Sequence, residues 1–320
     1  MSMIHKGHIV ESELSKNSKG GTEMMRKRVL DNVDFDLLSN VAIHFSRPRE
    51  IPNDVKLNIL YCHDLAEDPE NHILLKGGWK KFDHFVFVSQ WQRDQYITQF
   101  PGLPYAKCTV IPNAVEKEFS ASEDMSHTGK VRFIYHTTPH RGLELLYPIF
   151  DELSKHHDNI HLDVYSSFAI YGWANRDEPY VDLFTAIHNH PNMTYHGSVP
   201  NAQIIKALET ADVFLYPNIW KETSCIALIE AIKSGVLCIH PNYGALTEVS
   251  GGQTLMYDYS EDNNSNANAA YSIADQVLNT QKEDNHFLKR FTTTDRAFLS
   301  KNSIPIFANS WNKLLKELNG

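Results

Sequence analysis

Two glutamates, Glu222 and Glu230, stand with seven residues between them around the start of an apolar run. Residues 213–216 read as a buried strand and 217–221 as a loop at its carboxyl end. Residues 224–233 read as a nearly all-apolar helix closed by Gly235. Glu222 then sits just ahead of a helix amino terminus, and Glu230 about two turns inside. Loops at the carboxyl ends of strands are where open α/β sheets hold ligands. The N–H groups of Thr223, Ser224, Cys225 and Ile226 would form an anion site there. A carboxylate in an apolar helix is costly to bury without a partner, and ligand hydroxyls would supply one. A sugar nucleotide fits this pattern, with phosphates on the helix terminus, sugar hydroxyls at Glu222 and ribose hydroxyls at Glu230. The alternative is structural: Glu222 favoured by the helix dipole, Glu230 reaching solvent.

Other residues carry a chemical and a structural alternative in the same way. Gly20-Gly21 precedes a helix and is either a turn or a place where backbone can approach a ligand. His63 follows an apolar strand and is either a loop histidine or a polar group for a substrate. With Asp64, Glu67 and Asp68 it could also suggest a metal site. Trp173, Trp220 and Tyr171 either stack on sugars or belong to a core. Lys76, Lys80 and Lys81 with Trp79 form a basic, aromatic patch that is either a solvated surface or a contact for an anionic acceptor or membrane surface.

The elements that must position these groups form two α/β series. In the first, strands are expected at 4–10, 41–45, 57–62, 84–88 and 108–111, with helices at 23–30 and 91–100. A polar, aperiodic connector follows at 113–130. The second series has strands at 131–136, 161–165, 192–196, 213–216, 236–240 and 255–257, and helices at 143–156, 201–210 and 224–233. Residues 261–269 read as a surface turn into a helix. The tail at 303–318 has helical spacing and either crosses a domain junction or ends the chain as an ordinary helix.

Composition narrows the class. The chain has 320 residues, which favours two domains, and its 42% hydrophobic and 22% charged content is that of a packed globular protein. With 30 Lys+Arg against 39 Asp+Glu, the net charge of −9 argues against a duplex-binding protein that neutralises many phosphates. Cys62, Cys108, Cys225 and Cys238 lie too far apart for a close zinc or disulfide framework and are expected as free thiols. No signal-peptide core stands at the amino terminus and no run of about 20 apolar residues occurs, so a soluble, cytoplasmic protein without stable membrane insertion is expected.

The segment around the two acids resembles the motif of retaining GT-B glycosyltransferases of glycosyltransferase family four. Glu222 and Glu230 match its paired acids, Ala231 and Gly235 its helix end, and Ala211-Asp212-Val213 with Tyr216-Pro217 its preceding strand. The likeness continues in order. Gly20-Gly21-Thr22-Glu23 resembles the amino-domain glycine loop, His63-Asp64 the loop after a strand, and Val86–Ser89 with Val110-Ile-Pro-Asn-Ala-Val115 the end of that domain. Arg141-Gly142-Leu143 resembles the basic residue before a glycine, His196-Gly197-Ser198-Val199 the base-binding turn, and Gly244 to Glu248 the late loop.

The resemblance implies two Rossmann-like domains facing a central cleft. It divides the chain into an acceptor-side domain at 1–125, a nucleotide-sugar-binding domain at 126–300, and a terminal helix at 301–320. It implies a hexosyl- or pentosyltransferase using a UDP-sugar or GDP-sugar as co-substrate, with retention and without a bound metal or other cofactor. Glu222, His63 and Arg141 are implied as catalytic. Gly20, Gly21, His136, Val199, Thr223, Ser224, Cys225, Ile226 and Glu230 are implied in donor binding. The chain departs from the family in having Ser224-Cys225 where Phe-Gly is common, and His136 where an arginine is common. It is also short, so a trimmed acceptor domain is expected. The acceptor stays open among glycan, lipid, protein and modified nucleic-acid base. Rival functions are a nucleotide-sugar-binding protein without transferase activity and a sugar-nucleotide 2-epimerase; release of nucleoside diphosphate only with acceptor separates them.

Overall fold

The computed structural model describes residues 2–11, 20–116, 130–288 and 297–320. Most of the expected connector at 113–130, and with it the position between 125 and 126, lies outside the described residues. The chain divides into two compact units. The first comprises Met1–Glu116, Glu222–Ile226 and Ser300–Gly320, the second Lys117–Lys221 and Ala227–Leu299.

In the first unit, β1 (Ser2–His5), β2 (His8–Glu11), β3 (Val41–Phe45), β4 (Leu57–Cys62), β5 (His84–Phe87) and β6 (Cys108–Val110) form one sheet in the order β2-β1-β3-β4-β5-β6. From β3 onward neighbouring strands run parallel, whereas β1 is antiparallel to both β2 and β3. The single strand expected at 4–10 is therefore a hairpin. Lys6 (φ 50°) and Gly7 (φ 77°) both enter the left-handed region, which makes the two-residue turn that the strand twist favours.

Every residue of β3, β4 and β5 is buried, as in a sheet covered on both faces. On one face, helix α1 (Gly21–Asn32) contributes Met25 and Val29 to a core with Val41, Ile43, Ile59 and Tyr61. The chain's last helix brings Phe307, Trp311, Leu314 and Leu315 to the same core, and Trp311 meets Tyr61 edge-on at 5.1 Å. The other face packs Leu60, Cys62, Phe85 and Phe87 against Tyr96 and Phe100, which the helix at Gln90–Gln99 carries and ends beside. Between β4 and β5 the chain makes 3-10 turns over Pro69–Lys81.

The second unit is a wholly parallel sheet of β7 (Val131–Tyr135), β8 (Ile160–Val164), β9 (Met193–Tyr195), β10 (Val213–Leu215), β11 (Leu237–Pro241) and β12 (Leu255–Tyr257). Its order is β12-β11-β10-β7-β8-β9. The chain builds β7, β8 and β9 outward in one direction, returns, and builds β10, β11 and β12 in the other. Strand order thus reverses between β7 and β10, the place where doubly wound sheets open a ligand crevice.

Helices at Leu143–His156, Val181–Asn189, Asn201–Leu208, Ile226–Lys233, Leu246–Ser250 and Asn263–Glu283 connect or flank these strands. The one at Val181–Asn189, and the 3-10 turns at Phe168–Tyr171 and Ala174–Tyr180, occupy a stretch where the sequence suggested no element. The apolar helix expected at 224–233 begins at Ile226, so Ser224 and Cys225 belong to the approach to it. The two parallel-sheet, Rossmann-like halves agree with the α/β class expected from the alternating pattern.

Candidate functional site

The loop after β7 holds the densest group of unsatisfied polar atoms at the switch point of the second unit. Tyr135 ends the strand, and a 3-10 turn at Pro139–Arg141 leads through Gly142 into the helix Leu143–His156. Thr137 Oγ1, Thr138 Oγ1 and His140 Nδ1 are buried and lack hydrogen-bond partners, as does Ser166 Oγ beyond the end of β8. Buried hydroxyls without partners are rare, because each forfeits its hydration without compensation. Several together at strand carboxyl ends mark a place built for a polar ligand.

Gly142 keeps this loop close to the one after β10. Its φ of 121° favours glycine, and a Cβ there would fall 2.1 Å from the carbonyl oxygen of Pro217. The Ile219 N–H also donates to the Arg141 carbonyl at 3.4 Å. In the β10 loop, the buried Asn218 side chain accepts from the Trp220 N–H at 3.0 Å and donates to the Trp220 carbonyl at 2.6 Å. Trp220 meets His140 edge-on at 4.8 Å, and Phe168 stacks on the same imidazole at 5.1 Å.

Charge at the loop rests on arginine. Burial, reinforced by Arg141 and Arg176, lowers the His140 pKa to about 4. Burial alone drives the lowering of His136 to about 4, opposed by the Ala227 carbonyl 3.2 Å from its Nε2. Both imidazoles are neutral near pH 7. His136 therefore occupies the family's usual arginine position without bringing a cation, and its Nδ1 has no partner.

Glu230 lies in the helix Ile226–Lys233 and is buried, with Oε1 accepting from Asn201 Nδ2 at 3.0 Å. Asn201 is the first residue of the helix that follows the turn His196-Gly197-Ser198-Val199. Val199 itself is half-buried in that turn, two residues beyond the left-handed Gly197. Glu230, Asn201 and Val199 thus belong to one corner of the second unit. Asn201 was not singled out from sequence; a polar residue opening a helix beside the turn was the available signal.

Glu222, Thr223, Ser224, Cys225 and Ile226 belong to the first unit. Glu222, Ser224 and Cys225 are buried. Thr223 Oγ1 donates to the His63 carbonyl at 2.8 Å, and Ser89 Oγ donates to the Thr223 carbonyl at 2.6 Å. The His63 N–H in turn donates to Ser46 Oγ at 2.9 Å. Ser46 adopts φ 59°, an uncommon conformation for a non-glycine residue, directly after β3. Gln92, wholly buried, accepts from the Val88 N–H at 3.0 Å and donates to the Asp64 carbonyl at 2.8 Å. This network fixes the backbone of His63 and of the 222–226 segment. Ser46 and Gln92 were invisible in sequence because they act through chain-distant partners, whereas Ser89 closes a stretch that the family resemblance already included.

The His63 ring lies 4.2 Å from the Tyr61 ring, and burial drives its pKa down to about 3. Its Nε2 lacks a partner, so His63 offers a neutral hydrogen-bonding group. Of its acidic neighbours, Asp64 and Asp68 both engage Arg47, at 2.8 and 3.0 Å. Gly20 and Gly21 open helix α1, with the Gly20 carbonyl accepting from Met24 N at 3.0 Å. A Cβ at Gly21 would lie 3.0 Å from Ile226 Cδ1, so its lack of a side chain also serves packing.

The model of the family described as glycosyl transferases group 1 matches residues 116–291. That is more than half of the chain, which belongs to this family. The chain is 22% identical over 183 residues to a component of the phosphatidylinositol N-acetylglucosaminyltransferase of Arabidopsis thaliana, covering 55% of this chain and 38% of the relative. It therefore matches well under half the length of that curated relative.

Solved structures share the architecture. The glycosyltransferase from Rickettsia africae ESF-5 aligns with a TM-score of 0.65 at 15% identity, over 97% of this chain and 84% of that one. Anabaena Alr3699/HepE in complex with UDP and glucose gives 0.62 at 15% identity, over 82% and 72%. The pneumococcal O-GlcNAc transferase GtfA in complex with UDP and GlcNAc gives 0.59 at 15% identity, over 82% and 52%. These likenesses establish a GT-B type of α/β fold.

Proposed function

We propose that the protein transfers a hexosyl or pentosyl group from a UDP-sugar to an acceptor hydroxyl, with retention and without a bound metal. The observation that carries the donor assignment is the group of buried, partnerless Thr137, Thr138, His140 and Ser166 atoms at the switch point. Arg141 supplies the positive charge for the diphosphate there, and the hydroxyls complete its hydrogen bonds. Glu230, already held by Asn201, takes the ribose hydroxyls, and the backbone at Val199 takes the base. UDP is preferred to GDP because two of the structural relatives were solved with UDP.

In the first unit Glu222 and neutral His63 are assigned to the transferred sugar, and Gly20-Gly21 with the N–H groups at 223–226 to developing phosphate charge. As the bond from the anomeric carbon to the diphosphate oxygen breaks, positive charge develops on the sugar and negative charge on the leaving group. The acceptor oxygen bonds to that carbon from the same face, and its proton passes to the leaving phosphate. Glu222 positions sugar hydroxyls and is not required as a base.

The test is a donor panel beginning with UDP-GlcNAc and UDP-glucose, scored by UDP release with and without candidate acceptors, in EDTA. Acceptor-dependent release with an α-configured product supports the proposal. Binding without turnover would indicate a nucleotide-sugar-binding protein, and an altered donor without acceptor an epimerase. Glu222→Gln is expected to lower turnover on the order of 100-fold with the melting temperature unchanged; near-normal turnover removes the sugar assignment. Arg141→Ala is expected to weaken UDP binding by roughly 30-fold, measured by calorimetry.

A further inference from the structure

We propose that the first unit carries a docking surface for an anionic lipid bilayer, formed by the 3-10 segment Pro69–Lys81 and the chain around Tyr105. The two segments meet where Trp79 lies 3.7 Å from the position of a Cβ on Gly102. Residues 71–82 and 95–115 contain no acid but four lysines, Lys76, Lys80, Lys81 and Lys107, in a chain whose net charge is −9. Lys76, Lys80 and Lys81 are exposed, and Lys80 Nζ lies 5.7 Å from the centre of the Trp79 ring. The acids that flank these stretches are engaged: Glu70 pairs with Arg49, Asp83 Oδ2 accepts from the Asn58 N–H at 2.7 Å, Asp94 Oδ1 accepts from Arg93 Nε at 2.9 Å, and Glu116 Oε1 lies 4.0 Å from Arg28 Nη2.

Apolar groups are exposed among these charges. Leu75 is 50% exposed and Tyr105 63% exposed, whereas their neighbours Leu74 and Leu103 are buried. The 3-10 segment kinks at Leu75, Lys76 and Gly77, and Leu75 and Lys76 stand exposed at the kink. A soluble polyanion would need the lysines alone. A bilayer uses both features, because anionic headgroups attract lysine while leucine, tyrosine and tryptophan enter the interfacial region. No described helix is long and apolar enough to cross a membrane.

Cosedimentation of the purified chain with phosphatidylcholine vesicles, and with mixed phosphatidylcholine/phosphatidylglycerol vesicles, tests this directly. The protein is expected to pellet with the mixed vesicles only, and less as salt rises. The triple variant Lys76→Glu/Lys80→Glu/Lys81→Glu should lose partitioning on the order of 100-fold. Leu75→Ser/Tyr105→Ser, with its charge intact, should lose about 10-fold. If the glutamate variant melts early, the corresponding triple glutamine variant replaces it. Absence of pelleting with mixed vesicles, equal pelleting with neutral ones, or a triple variant that binds like the parent overturns the proposal. So does a parent-like Leu75/Tyr105 variant combined with displacement by heparin, which would mark a soluble polyanion as the partner.

Discussion

The loops at the strand ends of the two units treat their polar atoms in opposite ways. Around His63 and Asp64 the loop backbone is tied down by side chains: Ser46, Ser89, Gln92 and Thr223 satisfy backbone groups, and Arg47 takes Asp64 and Asp68, while the His63 ring itself leaves Nε2 without a partner. After β7 and β8 the hydroxyls of Thr137, Thr138 and Ser166 have no partners. A completed network resists removal of any member, because the survivors are left buried and unpaired. A group of unpaired hydroxyls costs the empty protein stability and is repaid when a ligand fills its hydrogen bonds. The first unit therefore holds the backbone of this loop by itself and leaves His63 Nε2 open, whereas the second leaves several hydroxyls open together.

The largest effect expected is one that ignores this difference. Burial lowers His63 to about 3 and His84 to about 4 in the first unit, and His136, His140 and His240 to about 4 in the second. Below their ordinary value of 6.5 the unfolded chain takes up protons that these folded imidazoles refuse. The unfolded state then binds more protons, so stability falls as pH drops from about 6.5 toward 4 and is restored above it. Melting followed by calorimetry at pH 7.5 and 5 should show both units weakened; a transition unmoved by acid would contradict the burial of its histidines.

Gln92→Leu sharpens the comparison from the first unit's side. It orphans the Val88 N–H and the Asp64 carbonyl, at a cost of about 3 kcal/mol in urea unfolding. UDP affinity should stay unchanged. A smaller effect of opposite character is expected from Thr138→Val with Ser166→Ala. Removing hydroxyls that have no partners should leave stability level or slightly raised, while UDP affinity by calorimetry falls about 10-fold. A marked loss of stability with affinity intact would show that these hydroxyls serve the fold and would erase the contrast between the loops.

Much of the framework was legible because it rests on local pattern. The β-branched and aromatic runs of β3, β4 and β7, and the apolar helix ahead of Gly235, announce themselves through burial on both faces. The hairpin at the amino terminus was not, since Lys6-Gly7 interrupts an otherwise continuous strand pattern only through two dihedral angles. The short helices and 3-10 turns at 168–189 escaped because aromatic side chains there pack by position and follow no simple period.

By itself the sequence determined that two α/β series exist, that Glu222 and Glu230 flank a helix start, and that Arg141 precedes a glycine; that no other residue fits at Gly142 is a finding of the fold. The first three are properties of neighbouring residues, whose spacing fixes which side of an element they occupy. Tertiary structure alone decided that Glu222 through Ile226 are bound into the first unit, and that Glu230 is held by Asn201 in the second. It also decided that His63, His136 and His140 are neutral. Desolvation and hydrogen bonding between chain-distant groups depend on what the fold brings alongside, and no local spacing records that.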